Sequence, residues 1–240
     1  MKSLRDLLDN KDPGWPIVAG WVKAAKCPVE VLPVVGDQGN DALVALQVTT
    51  RSPLGAIVHG TGGILVDCGW LRILGSGHPR LPRSLPQWNI DMAVREHGQM
   101  PPFTLVADDV IGGFFAIDGG TLGFQRGDVV YFAPDSRKWE PLGLPYSGFV
   151  QWSMSGKLSE FYLDYRWPGW EGEVKALKGD RGFSIYPPPG FEGDPIPKRH
   201  RGEVPIAELH RFYQDLAEQM RDLPEGSKIE FKIEDENQEG

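Results

Sequence analysis

Apolar positions along this chain change their period several times, and each change marks an element. Leu4, Leu7 and Leu8 follow Ser3, a capping residue, and predict a short helix that Asp12-Pro13-Gly14 interrupts. Trp15, Val18, Ala19 and Val22 recur at helical spacing and predict a second helix from Trp15 to Ala25. The run VEVLPVV, residues 29–35, reads as a strand, and its Pro33 belongs at a sheet edge or at the strand's end. After the turn Gly36–Asn40, Asn40 or Asp41 is expected to cap the helix ALVALQV. Ser52-Pro53 is a helix start, with Leu54, Ala56, Ile57 and Val58 along it and a stop expected at Gly62-Gly63. From Ile64 to Leu74 the run ILVDCGWLRIL alternates, giving one or two strands with Asp67 and Cys68 on opposite faces.

A Pro-rich loop, GSGHPRLPRSLPQWN, spans residues 75–89. Beyond it FTLVADDV and GGFFAID predict two strands joined across Ile111-Gly112-Gly113, and VVYFAPD a third. The turn chemistry of Pro134–Lys138 then implies a short returning strand from Trp139 to Leu142, so this region is an antiparallel meander. A helix from Ser147 carries Phe149, Val150, Trp152 and Met154, and a second turn carries Leu158, Phe161, Tyr162 and Tyr165. Residues 187–202, rich in Pro, Gly and charge, read as a linker. They divide a domain at 1–190 from an extension at 191–240, which holds an amphipathic helix from Pro205 and the acidic end IEDENQEG, read as a frayed tail.

Composition adds constraints on class. At 240 residues, with an ordinary balance of 40% hydrophobic and 24% charged positions, the chain can bury a core without staples. Its 30 Gly and 21 Pro favour many tight turns over long helical bundles. A formal charge of -8 argues against a nucleic-acid partner, since such binders gain affinity from clustered Lys and Arg. Only Cys27 and Cys68 are present, without CxxC spacing, which fits a reducing cytoplasm. The N-terminus lacks the apolar core of a secretory signal, and no run approaches the roughly 20 apolar residues of a membrane helix, so no membrane partner is expected.

Candidate chemistry is sparse. The stretch ADDVIGGFFAIDGG, residues 107–120, frames a short strand with glycines and aspartates, but no helix opens behind it to hold a phosphate. Its aspartates are read as turn formers and its glycines as tight turns. His59-Gly60-Thr61-Gly62-Gly63 has the form of an esterase oxyanion loop, but no GxSxG elbow accompanies it, and a glycine helix cap accounts for the same residues. The five histidines are scattered at no ligand spacing, so neither a metal nor a cofactor is expected, and no catalytic residue is assigned. The loop at 75–89 is the most suggestive surface: His78, Arg80, Arg83 and Trp88 would offer forked donors and an aromatic anchor to an acidic partner or anion.

One resemblance extends these readings. TGG at 61–63, LVADDVIGGFFAIDGG, GDVVYFAPDSRKWEPLG and YSGFVQWSMSG together resemble the SUKH superfamily. Over nearly its full length the chain is also similar to a bacterial family of uncharacterised proteins placed near that superfamily, through TTRSPLGAI at 49–57, GWLRILGSGHPRLPRSLPQWN at 69–89 and RWPGWE at 166–171. The resemblance implies an α+β fold with a mixed, curved, mainly antiparallel sheet flanked by helices. It also implies a non-catalytic protein-binding module, in many members an immunity protein that neutralises a toxin. The superfamily motif is structural and transfers no catalytic residue. The alternative reading is a small-molecule-binding protein or enzyme with its site near the 75–89 loop.

Overall fold

Seven strands take their places in one sheet in the order in which they occur along the chain. A computed structural model describes residues 1–92 and 103–223; the acidic end IEDENQEG lies outside the described residues. The strands are β1 (Val29–Pro33), β2 (Thr61–Val66), β3 (Leu71–Leu74), β4 (Phe103–Asp109), β5 (Phe114–Asp118), β6 (Asp128–Phe132) and β7 (Trp139–Pro145). Every pairing is antiparallel, which makes the expected α+β sheet a simple meander. β1 and β7 are its edges, and both carry proline, Pro33 in one and Pro141 and Pro145 in the other, as edge strands that resist further pairing do.

Helices α1 (Leu4–Leu7), α2 (Trp15–Lys23), α3 (Gln38–Leu46), α4 (Pro53–Gly60) and α5 (Leu85–Met92) punctuate the first half. Helices α6 (Tyr146–Met154), α7 (Leu158–Phe161) and α8 (Trp170–Ala176) follow the meander, and a hairpin of β8 (Arg181–Tyr186) and β9 (His200–Pro205) leads into α9 (Ile206–Met220). Neighbouring residues of β5 show how the layers stack. Phe114 meets the His210 ring of α9 at 4.7 Å, whereas Phe115 meets Phe149 of α6 at 4.9 Å on the opposite face. Both phenylalanines are fully buried, each contributing about 1.5–3 kcal/mol by leaving water.

Several local expectations hold for the physical reasons that suggested them. Ser52 caps α4 by accepting the Gly55 N–H at 3.0 Å, with Pro53 at the first helical position. Others need correction. α3 begins at Gln38, so Asn40 and Asp41 lie inside it rather than capping it. α4 ends at Gly60 and not at Gly62-Gly63, because Thr61 is already extended and opens β2. Asp67 and Cys68 do not alternate along a strand; they form a tight 3-10 turn with φ of 52° and 62°. The loop after β3 is shorter than the segment 75–89, since α5 takes up its last residues, Trp88 among them.

The Pro-rich segment 187–199 connects β8 to β9, and Arg199 ties it together by donating to the carbonyls of Pro187, Pro188, Phe191 and Asp194. From α9, Ile206, Leu209 and Tyr213 join the same core as the sheet.

Candidate functional site

β3 reads Leu-Arg-Ile-Leu, and all four residues are buried, which obliges Arg72 to find anionic and carbonyl partners inside the protein. The ladder supplies them. Arg72 pairs across the strands with Asp108 of β4, and its Nε donates to Asp108 Oδ1 at 2.7 Å. The Pro-rich loop brings a second guanidinium: Arg83 Nη1 donates to Asp108 Oδ2 at 2.5 Å, while its plane stacks on Trp88 at 4.6 Å. Asp108 is fully buried and Arg72 and Arg83 are 2% and 8% exposed, so two cations share one carboxylate out of water. Burial pushes the Arg72 pKa down, against the pull of Asp108.

The spare donors of both arginines reach one chain segment. Arg83 Nη2 donates to the Gly179 carbonyl at 2.8 Å, and Arg72 Nη1 donates to the carbonyls of Gly179 at 3.5 Å and Arg181 at 2.5 Å. Gly179 comes so close to the loop that a Cβ there would lie 2.2 Å from the Arg80 carbonyl. The buried triad therefore fixes the segment after α8 against the loop 79–82. Between these two walls lies a groove of about 890 Å³, floored by Leu65, Arg72 and Val110 and opening onto the edge strand at Val29 and Glu30. At its rim Arg80 grips both carboxylate oxygens of Glu30 in an exposed ion pair, which holds the Glu30 carboxyl below its ordinary pKa.

Glycines set how closely the loop can approach. A Cβ at Gly62 would meet His78 Cβ at 2.6 Å, and one at Gly75 would meet the Thr61 carbonyl at 2.5 Å. Ser76 and Gly77 N–H groups bond the carbonyls of Thr61 and Gly62 at 2.9 and 3.0 Å. In the Gly-rich run after His59, Gly60 ends α4, Thr61 caps it, and Gly62 and Gly63 are strand backbone on which the 75–78 loop rests, in place of a glycine helix cap.

Of the four residues singled out in the loop, Arg83 and Trp88 face inward, and Arg80 and His78 remain at the surface. Arg80 lines the 890 Å³ groove. His78 lines a second one of about 630 Å³ between α3 and α5, and its Nδ1 accepts the Arg80 backbone N–H at 3.1 Å. Pro79 and Pro82 border both grooves, so the loop is a ridge between them. Reasoning from sequence missed Arg72, Lys175, Lys178 and Gly179. For Arg72 a signal existed, a lone cation inside the apolar run WLRIL matched by the paired acids of LVADDV.

The other acid of that pair faces the opposite side. Asp109 Oδ2 accepts the hydroxyls of Tyr131 and Tyr162, each at 2.9 Å, and Oδ1 accepts the N–H groups of Ile111 at 3.0 Å and Gly113 at 2.7 Å. Burial raises its pKa despite these four donors, and raises both phenols well above their ordinary value. Asp118 is a turn former as expected, with its carboxylate accepting four N–H groups from Gly120 to Phe124. Among the described residues no cluster of His, Cys, Asp or Glu has the arrangement of a metal site. No described helix is long and apolar enough to cross a membrane.

Fold and site together define an α+β protein in which a buried Arg–Asp–Arg cluster lies against a surface groove. The chain belongs to a family described as proteins of unknown function, DUF2625, whose pattern matches residues 4–209. It is similar to the Escherichia coli strain K12 protein YbfG, described as uncharacterized, with 46% identity over 192 residues covering 78% of this chain and 85% of that protein. An uncharacterized protein of Haemophilus influenzae is 38% identical over 187 residues, covering 78% and 82%. None of these descriptions carries a SUKH assignment; what they establish is the bacterial family.

Proposed function

We propose that this protein is a cytoplasmic, non-catalytic module that binds a protein partner in the groove between the loop 79–82 and the segment 174–180. The single observation that carries the reading is the use made of the buried charges. Arg72 and Arg83 both engage the Asp108 carboxylate and, apart from Arg83 Nε, which has no partner, give their remaining donors to backbone carbonyls, so the triad positions two walls and its one carboxylate is already taken. Such a groove offers a preformed concave surface with apolar side chains and a polar rim. The resemblance to the SUKH superfamily supports the same reading and refines it to an immunity-type role, in which the partner is a toxin.

A second reading has one observation in its favour. The groove volume of about 890 Å³ falls within the range of small-molecule sites, roughly 300–1,000 Å³. The two separate on one comparison, affinity capture from a native bacterial lysate with wild type and with Ala176→Trp, a substitution at an exposed lining position that fills the groove. The partner reading expects a protein retained by wild type, lost by the variant, and bound again when purified and titrated. A small molecule that raises the melting temperature of wild type but not of Ala176→Trp, with no protein captured, would replace it.

A further inference from the structure

On the reading that the groove holds a protein partner, we infer that the segment it takes is acidic. The chain as a whole is anionic, with a formal charge of -8, yet the groove is locally cationic. Beneath its floor two guanidiniums share the single carboxylate of Asp108, which leaves one positive charge uncompensated in a buried position. The neighbouring carboxylate, Asp109, takes no hydrogen bond from either guanidinium, because its oxygens face the other side of the sheet and receive Tyr131 and Tyr162. On the wall, Lys175 and Lys178 are exposed and make no ion pair among the described residues; Asp180 lines the groove with them, and Glu171 lies one helical turn before Lys175. Glu30 at the rim is already committed to Arg80.

Low-dielectric walls focus such a field, so the groove favours an anionic occupant and penalises a basic one. The Arg72 donors are all occupied by Asp108 and by carbonyls, so recognition works through the field of the floor and through direct contact with Lys175 and Lys178. The part-exposed side chains Leu65 and Leu177 give the segment's apolar residues a surface to pack on. An acidic peptide with interspersed apolar residues matches both features.

The test is selection of a displayed random twelve-residue peptide library on three proteins: wild type, Lys175→Glu/Lys178→Glu and Ala176→Trp. Wild type is expected to enrich peptides of net negative charge, and their affinity should fall about tenfold on reversing the two lysines and weaken with added salt. Enrichment of neutral or basic peptides that depends on an unfilled groove would overturn the acidic preference while leaving the binding module standing. If wild type enriches no peptide over Ala176→Trp, both the preference and the module fall.

Discussion

Asp108 and Asp109 adjoin in β4 and send their carboxyl groups to opposite faces of the sheet, one to two arginines and the other to two tyrosines. Both side chains are fully buried, so each network must close on itself. The consequences differ. The arginine side reaches the surface through Gly179 and shapes a groove, whereas the tyrosine side locks α7 to the meander through Tyr162.

Removing one member of the arginine side should be costly. Arg83→Ala leaves Asp108 with a single cation and the Gly179 carbonyl without its shorter bond, and is expected to destabilise the fold by about 3–5 kcal/mol. Arg83→Lys should recover only part of this, since an ammonium cannot fork between carboxylate and carbonyl. Urea denaturation measures both; a loss below about 1 kcal/mol for Arg83→Ala would mean the triad does not hold the walls.

Arg80, three residues earlier, predicts the opposite outcome. Its pair with Glu30 is about half exposed on both sides, so Arg80→Ala should cost no more than about 1 kcal/mol in the same measurement.

Gly113 of the meander turn and Gly172 of α8 differ in what surrounds them. A Cβ at Gly113 would lie 2.2 Å from Asp109 Oδ2 and 2.3 Å from the Tyr131 hydroxyl, so Gly113→Ala should disrupt the tyrosine network and lower the melting temperature sharply. Gly172, inside α8, has no atom within 4 Å of such a Cβ. There the alanine substitution should stabilise by about 0.5–1 kcal/mol, because it restricts the unfolded chain at no steric cost.

Stability should fall on the acid side through His210. Burial pushes its pKa from 6.5 down to about 4, so the folded protein keeps the ring neutral while the unfolded chain protonates. The groups facing it are the Trp88 and Phe114 rings and Gln214, with Asp108 and Arg211 acting at longer range. Its contribution is present above pH 6.5 and is lost as pH falls toward 4, by about 3 kcal/mol. Asp109 has the reverse sign: its raised pKa gives stability at low pH that is lost as pH rises through the folded value. Comparing wild type with His210→Gln between pH 7 and 4 isolates the histidine: wild type should lose stability more steeply, and equal slopes would show that His210 protonates in the folded state as readily as in the unfolded chain.

Much of the fold was legible because it rests on local rules. Ser52-Pro53 starts a helix, Pro33 marks an edge strand, and the alternation around Gly112-Gly113 makes a hairpin, each within a few residues of where the pattern places it. Thr61-Gly62-Gly63 was not legible, since a glycine pair after a helix looks the same whether it caps the helix or receives a crossing loop, and the loop that decides lies some fifteen residues on. The site was hidden for a similar reason. An arginine in a Pro-rich loop reads as surface, and only the carboxylate 25 residues away shows that Arg83 turns inward. Lys175, Lys178 and Gly179 carry no signal of their own, because a wall is defined by what it faces.

The central claim, that the walls fixed by the triad form the partner's site, is tested most directly by hydrogen exchange on the protein with and without its purified captured partner. Slowed exchange at residues 79–82 and 174–180, with β5 to β7 unchanged, is the predicted result. Protection confined to other surfaces while both walls exchange as in the free protein would contradict it.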